Sequence, residues 1–227
     1  PVKTIDINPG NILNLTDGST GNWKEVDIEA ATASRNIANR IYWMGSLGNG
    51  SDGDNKPNRN RIFATSITGT GTATSITAAG SYNNLKAALI SWGNSHGYNF
   101  TSSAADGHDP KTIDGFNVEG MVFAPDGTTM YIGFRAPLVP NANRTKALIA
   151  PIQNFEAWFN NGAPSGSPTI GAPVELDLGM RGIRDIIRLA NGTYVIVAGS
   201  YNDNSIPAIF RWSGVAGENP LQIPSFN

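Results

Sequence analysis

The chain has 227 residues, a length that suits one large all-β domain or two small ones. Hydrophobic residues make up 40 %, enough for a sizeable core, while charged residues are only 15 %, below the usual share of about 25 %. The formal net charge of -2 implies no basic face and argues against duplex nucleic acid as a partner. No apolar run is long enough to span a bilayer. Cys is absent, which excludes disulfides, thiol catalysis and thiolate metal sites. Gly, Asn, Ser and Thr take the place of the missing charge, and Asn and Gly favour turns, so many short loops are expected. The polar, Lys-poor composition leads us to expect export, to an extracellular or periplasmic site.

In chain order, a lone strand is predicted near Ile5 to Leu15. Four strands follow: Glu25 to Ala33, Arg40 to Ser46, Arg61 to Ile67 and Ala73 to Ala79. Asn83 to Trp92 then changes period. Leu85, Leu89 and Trp92 share one helical face, with Asn83 placed to cap its start and Gly93 its end. Residues 81–113 therefore read as an insertion that carries a short helix and a polar loop. The next unit is the clearest. Phe116 to Phe123 and Met130 to Phe134 flank the turn pair Asp126-Gly127, which makes a hairpin. A third strand is expected at Ala147 to Ile152, a helical turn at Gln153 to Phe159, and a fourth strand at Pro173 to Leu178. The last unit has Ile183 to Leu189, the turn Asn191-Gly192, Thr193 to Gly199 and Ala208 to Trp212, then a tail at Leu221 to Phe226.

Each unit is an up-and-down sheet of about four strands, the size of a β-propeller blade. The fold class expected is all-β, one domain over 1–227, with blades at about 24–80, 116–178 and 181–215. Closed propellers use about four to eight blades. Three cannot close a ring, so the expectation is part of a larger or incomplete propeller. Its open blade edges would be available for self-association.

The stretches that carry a family resemblance are Asp27-Ile28-Glu29-Ala30-Ala31, Ile41-Tyr42-Trp43-Met44-Gly45-Ser46 with the Arg59 and Arg61 loop, Gly115-Phe116-Asn117-Val118-Glu119-Gly120-Met121 through Pro125-Asp126-Gly127 to Gly133-Phe134-Arg135-Ala136-Pro137, and Leu176-Asp177-Leu178-Gly179 with Gly182-Ile183-Arg184-Asp185. Over roughly Glu25 to Trp212 they resemble a family of bacterial propellers catalogued as domain of unknown function 3616. The Glu-Gly plus Pro-Asp-Gly pattern is also similar, more weakly, to the esterase-like phytase propellers. The first resemblance implies a propeller and no known reaction.

A polar residue at the mouth of each first strand suits a shared central channel. The candidate ligand-binding set is Asp27, Glu29, Asn117, Glu119, Arg135, Arg184 and Asp185. If they converge, Asp27, Glu29 and Glu119 could hold Ca²⁺, which takes six to eight oxygens, and the arginines could grip a phosphate or carboxylate. The competing structural reading is that these charges pair with one another and fix neighbouring blades. Other motifs carry less. Gly48-Asn49-Gly50-Ser51-Asp52-Gly53 matches a dinucleotide fingerprint by letter but opens no helix, so it reads as a solvated hairpin loop, as does the Asp52 and Asp54 pair. Asp106-Gly107-His108-Asp109 with Asp114 reads as a flexible insertion loop rather than a metal site. Trp43, Trp92 and Trp212 suit core packing better than a sugar-stacking surface. No Gly-x-Ser-x-Gly elbow or P-loop is present. The sequence thus offers ligands but no identifiable nucleophile. It points to a ligand- or partner-binding module, with a Ca²⁺-dependent phosphoesterase or esterase as the alternative.

Overall fold

The computed structural model describes residues 5–16, 24–159, 164, 166–202, 204 and 206–224. Within them, twelve strands form three four-stranded antiparallel sheets, each a meander in chain order. The first holds Ile28–Ala33 (β1), Arg40–Gly45 (β2), Ile62–Thr68 (β3) and Ser75–Tyr82 (β4). The second holds Asn117–Phe123 (β5), Met130–Ala136 (β6), Ala147–Ile152 (β7) and Val174–Leu176 (β8). The third holds Gly182–Arg188 (β9), Tyr194–Gly199 (β10), Ala208–Trp212 (β11) and Leu221–Gln222 (β12). The sequence therefore located every sheet. The third gains a fourth strand from the tail, whose residues 225–227 lie outside the described set.

Alternation builds the sheets and burial joins them. β5, β6 and β7 are buried at every position, because the middle sheet is covered on both faces. One face packs with Tyr42, Met44, Ile62 and Ala64 of the first sheet, and this core extends to the helical segments Leu85–Ser95 (α1), Phe100–Ser103 (α2) and Phe155–Trp158 (α3). The other face packs Val122, Tyr131, Ile149 and Leu176 against Ile183, Ile186, Ile196, Phe210 and Trp212 of the third sheet. Each such side chain, fully buried, contributes about 1.5–3 kcal/mol. Trp92 and Trp212 are core residues, and Trp43 stacks on Phe63 at 6.3 Å, so these tryptophans pack rather than present a surface.

Four expectations are corrected. Residues 5–16 hold no strand. Pro9–Asn11 is a 3-10 turn, and the side chains of Asn8 and Asn11 accept from the amides of Leu13 and Leu15. These local bonds replace a sheet ladder, and Leu13 and Leu15 then pack on Phe63 of the first sheet. In α1, Asn84 rather than Asn83 stands at the N-cap, and its side chain makes no capping bond. Gly93 lies inside α1 rather than ending it. A Cβ there would come 2.2 Å from the Phe100 ring, so glycine is what lets α2 pack against α1. The 106–109 loop is pinned rather than loose: Gly107 donates to the Gly53 carbonyl and Asp106 accepts from the Asn55 amide.

The first strands stand together. β5 is flanked by β1 on one side and β9 on the other. Backbone contacts fix the spacing. Val118 N donates to Ser46 O at 3.0 Å, joining the second sheet to the first. At the other seam Gly182 lies so close to β6 that a Cβ would meet the Arg135 carbonyl oxygen at 1.9 Å.

Candidate functional site

Each first strand carries a β-bulge at the same place. In β1 the register jumps between Ile28 and Ala30, leaving Glu29 as the extra residue. In β5 it jumps between Val118 and Gly120, leaving Glu119. In β9, Asp185 pairs with Val197 and Ile183 with Ala198, leaving Arg184. A bulge bends its strand and re-aims the extra side chain. The three repeats thus align Glu29, Glu119 and Arg184 as equivalents, with Asp27, Asn117 and Gly182 two residues before them.

Glu119 is the hub. It is 4 % exposed, and its Oε1 accepts from Arg135 Nη1 at 2.9 Å while its Oε2 forms an ion pair with Arg184 Nε at 2.7 Å. Arg135, also 4 % exposed, comes from β6, and its Nε donates to the Tyr201 carbonyl at 2.9 Å. Arg184 comes from β9 and also reaches the Ser200 carbonyl. One carboxylate therefore ties the second sheet to the third, as the structural reading of these charges anticipates. A charge-assisted hydrogen bond to a buried carboxylate is a strong one, and the Arg184 ion pair adds to it.

Glu29 differs. Its side chain is open to solvent and makes no hydrogen bond or ion pair with a described residue. Its pKa is nevertheless raised from 4.5 to about 7. Desolvation by the surrounding protein is the main cause, followed by the charges of Glu119 and Asp27, while Arg135 and Arg184 oppose the rise. Glu29 thus shares its surroundings with two carboxylates, which raise its pKa, and two arginines, which lower it.

Asp27 holds a left-handed backbone at φ 56° just before the bulge. Its Oδ2 forms an ion pair with Arg59 Nη1 at 3.0 Å, and Arg59 Nη2 donates to Glu25 Oε1 at 2.6 Å. Arg59 is a member of this site that sequence reasoning did not assign to it. Its only early signal was its place in the loop after the Ile41 to Ser46 strand. Asn117 is 7 % exposed, and its Oδ1 is buried without a hydrogen-bond partner.

Two expected roles fail. Asp185 is exposed on the next strand position, where its Oδ1 accepts from the Ile186 amide at 2.8 Å, outside the Glu119 ion pairs. The pleat explains this, since the residue after the bulge faces away from it. Asp27, Glu29 and Glu119 also do not form a Ca²⁺ set. Among the described residues no three His, Asp or Glu side chains gather as a metal requires, and two of these carboxylates are already held by arginines.

The remaining motifs stay separate. Lys56 pairs with Asp52 at 3.3 Å and Asp54 at 3.6 Å in an exposed loop. His108 Nε2 lies 3.5 Å from Asp114 and 3.2 Å from Thr112 Oγ1, a local contact on the protein's surface. An open cleft of about 990 Å³ lies elsewhere, between the 80–84 segment, α1 and Ile12, and its described wall has no charged side chain. Its size does not make it the site, because the converging charges are at the bulges. No family model matches the chain, and no curated protein matches it either.

Proposed function

We propose that the chain is a propeller-type binding module whose ligand sits at the mouths of β1, β5 and β9. The resemblance to bacterial propellers supports this reading, as do three meander sheets arranged with their first strands side by side. The observation that carries it is Glu29: a re-aimed carboxyl that makes no hydrogen bond or ion pair with a described residue, near the carboxylates of Asp27 and Glu119 and near two arginines that pair with Glu119. Among the described residues of the site, the acceptors without a hydrogen-bond partner are Glu29 and the Asn117 Oδ1, beside one unpartnered donor, Arg59 Nε. The ligand these acceptors suit is a cationic hydrogen-bond donor such as a primary ammonium, borne by a small amine or by a partner's lysine.

Calorimetric titration with 1,4-diaminobutane tests this. Binding is expected at about pH 8, where Glu29 is ionised, and about tenfold weaker binding at about pH 5.5, where it is protonated. Glu29→Gln should abolish the pH dependence and most of the affinity. Equal binding by wild type and Glu29→Gln would remove Glu29 from the site. Ca²⁺ binding that depends on Glu29, with hydrolysis of a phosphomonoester, would replace this reading with the metal-dependent hydrolase.

A further inference from the structure

A buried lysine stands without a counterion beside a cleft that shares no residue with the strand mouths. Lys86, in the first turn of α1, is 7 % exposed. Its Nζ lies over the Phe116 ring at 6.0 Å and donates to Asn49 Oδ1 at 2.9 Å. Asn49 is itself fixed, because its Nδ2 donates to the Ala105 and His108 carbonyls. An ammonium carries three donors, and a buried charge is normally paired. Among the described residues Lys86 has no carboxylate partner. Burial pulls its pKa down to about 8, and the charge of Asp106 only partly offsets this. Lys86 and Asp106 line an open cleft of about 430 Å³ together with Asn55, Asn60, Asn83 and Asn84. That volume falls within the roughly 300–1,000 Å³ of small-molecule sites.

We propose that this cleft binds a small zwitterion, an α-amino acid, with its carboxylate on Lys86 and its ammonium on Asp106. The two poles share one cleft without touching. Asp106 is near enough to act on the charge of Lys86 but makes no ion pair with it. A molecule that bears both charges satisfies both poles at once. The start of α1 forms part of the same wall, and its cap residue Asn84 makes no side-chain capping bond. The first-turn amides therefore add positive potential where the carboxylate lies. Asp106 is exposed, and its Oδ1 accepts from the Asn55 amide at 2.9 Å, which leaves Oδ2 for the ammonium. The amides of Asn60 and Asn83 can donate or accept and so suit either end of the ligand. A simple anion meets the repulsion of Asp106 and a simple amine that of Lys86, so the zwitterion is favoured over both.

NMR titration with glycine, acetate and methylamine at about pH 7 tests this. Glycine is expected to bind with a dissociation constant of about 10 mM or tighter, and acetate and methylamine at least about tenfold more weakly. Lys86→Met keeps the length of the buried stem and should abolish binding, with circular dichroism checking that the variant folds. Asp106→Asn lies on the surface, keeps the Oδ1 that the Asn55 amide uses, and should weaken glycine at least about tenfold. Glu29→Gln should leave glycine binding unchanged, which separates this cleft from the strand mouths. No saturation by glycine up to about 100 mM overturns the proposal. So does glycine binding that Lys86→Met or Asp106→Asn leaves intact, glycine binding lost with Glu29→Gln, or acetate or methylamine binding as tight as glycine's.

Discussion

Replacing Glu119 by Gln leaves the shape of the hub almost unchanged and removes the charge that two arginines share. The consequence for each arginine differs with its exposure. Arg135 has a side chain only 5 % exposed, so losing the Glu119 charge leaves its cation less well compensated away from water. Arg184 has a side chain 30 % exposed and regains hydration more readily. Breaking a buried pair by removing one partner costs about 3–5 kcal/mol, and the Arg135 half of the hub sets the scale here. We therefore expect Glu119→Gln to lower unfolding free energy by about 3–5 kcal/mol in urea, with an unchanged m-value. Arg184→Met should cost about 1–2 kcal/mol, less than Arg135→Met. The double variant Glu119→Gln with Arg135→Met should recover at least about half of the single loss, since it leaves no poorly compensated buried cation. A Glu119→Gln loss below about 1 kcal/mol, or equal effects of the two arginine variants, would refute the reasoning.

Three further outcomes follow from the same structure. Glu29 has a folded pKa above its unfolded value, so the folded chain binds more protons between pH 4.5 and about 7. Its contribution to stability therefore declines as pH rises through that window. After allowance for solvent screening of an exposed carboxyl, Glu29→Gln should stabilise the protein by about 1 kcal/mol at pH 8 relative to pH 4.5, measured against wild type by urea melts. Gly182→Ala places a methyl against the Arg135 carbonyl, where neither backbone can yield cheaply, and should destabilise by about 3 kcal/mol or more in the same assay. Gly93→Ala should separate α1 from α2 and lower the melting temperature, because its methyl overlaps the Phe100 ring.

The sheets were legible because their signals are local. Apolar runs broken by Asp126-Gly127 and Asn191-Gly192 locate hairpins without knowledge of any distant residue. The bulges were not legible, since an extra residue is defined only against its partner strand. Without that register, Arg184 and Asp185 read as equally good candidates. With it, Arg184 aligns with Glu29 and Glu119, and Asp185 turns to the outer face. Asp27 was a sound candidate in sequence, but its partner Arg59 lies 32 residues on in a loop whose path no periodicity reveals. The 5–16 segment misled for the opposite reason. Its apolar spacing imitates a strand, while the side chains of Asn8 and Asn11 satisfy the local amides and curl the backbone.

The most direct test of the binding account is an NMR titration of the Glu29 side-chain carboxyl carbon, in the free protein and with 1,4-diaminobutane. The account predicts a midpoint near pH 7 in the free protein and a fall of about one unit or more when the ammonium group binds the ionised form. A midpoint near 4.5 that the diamine does not move would contradict it.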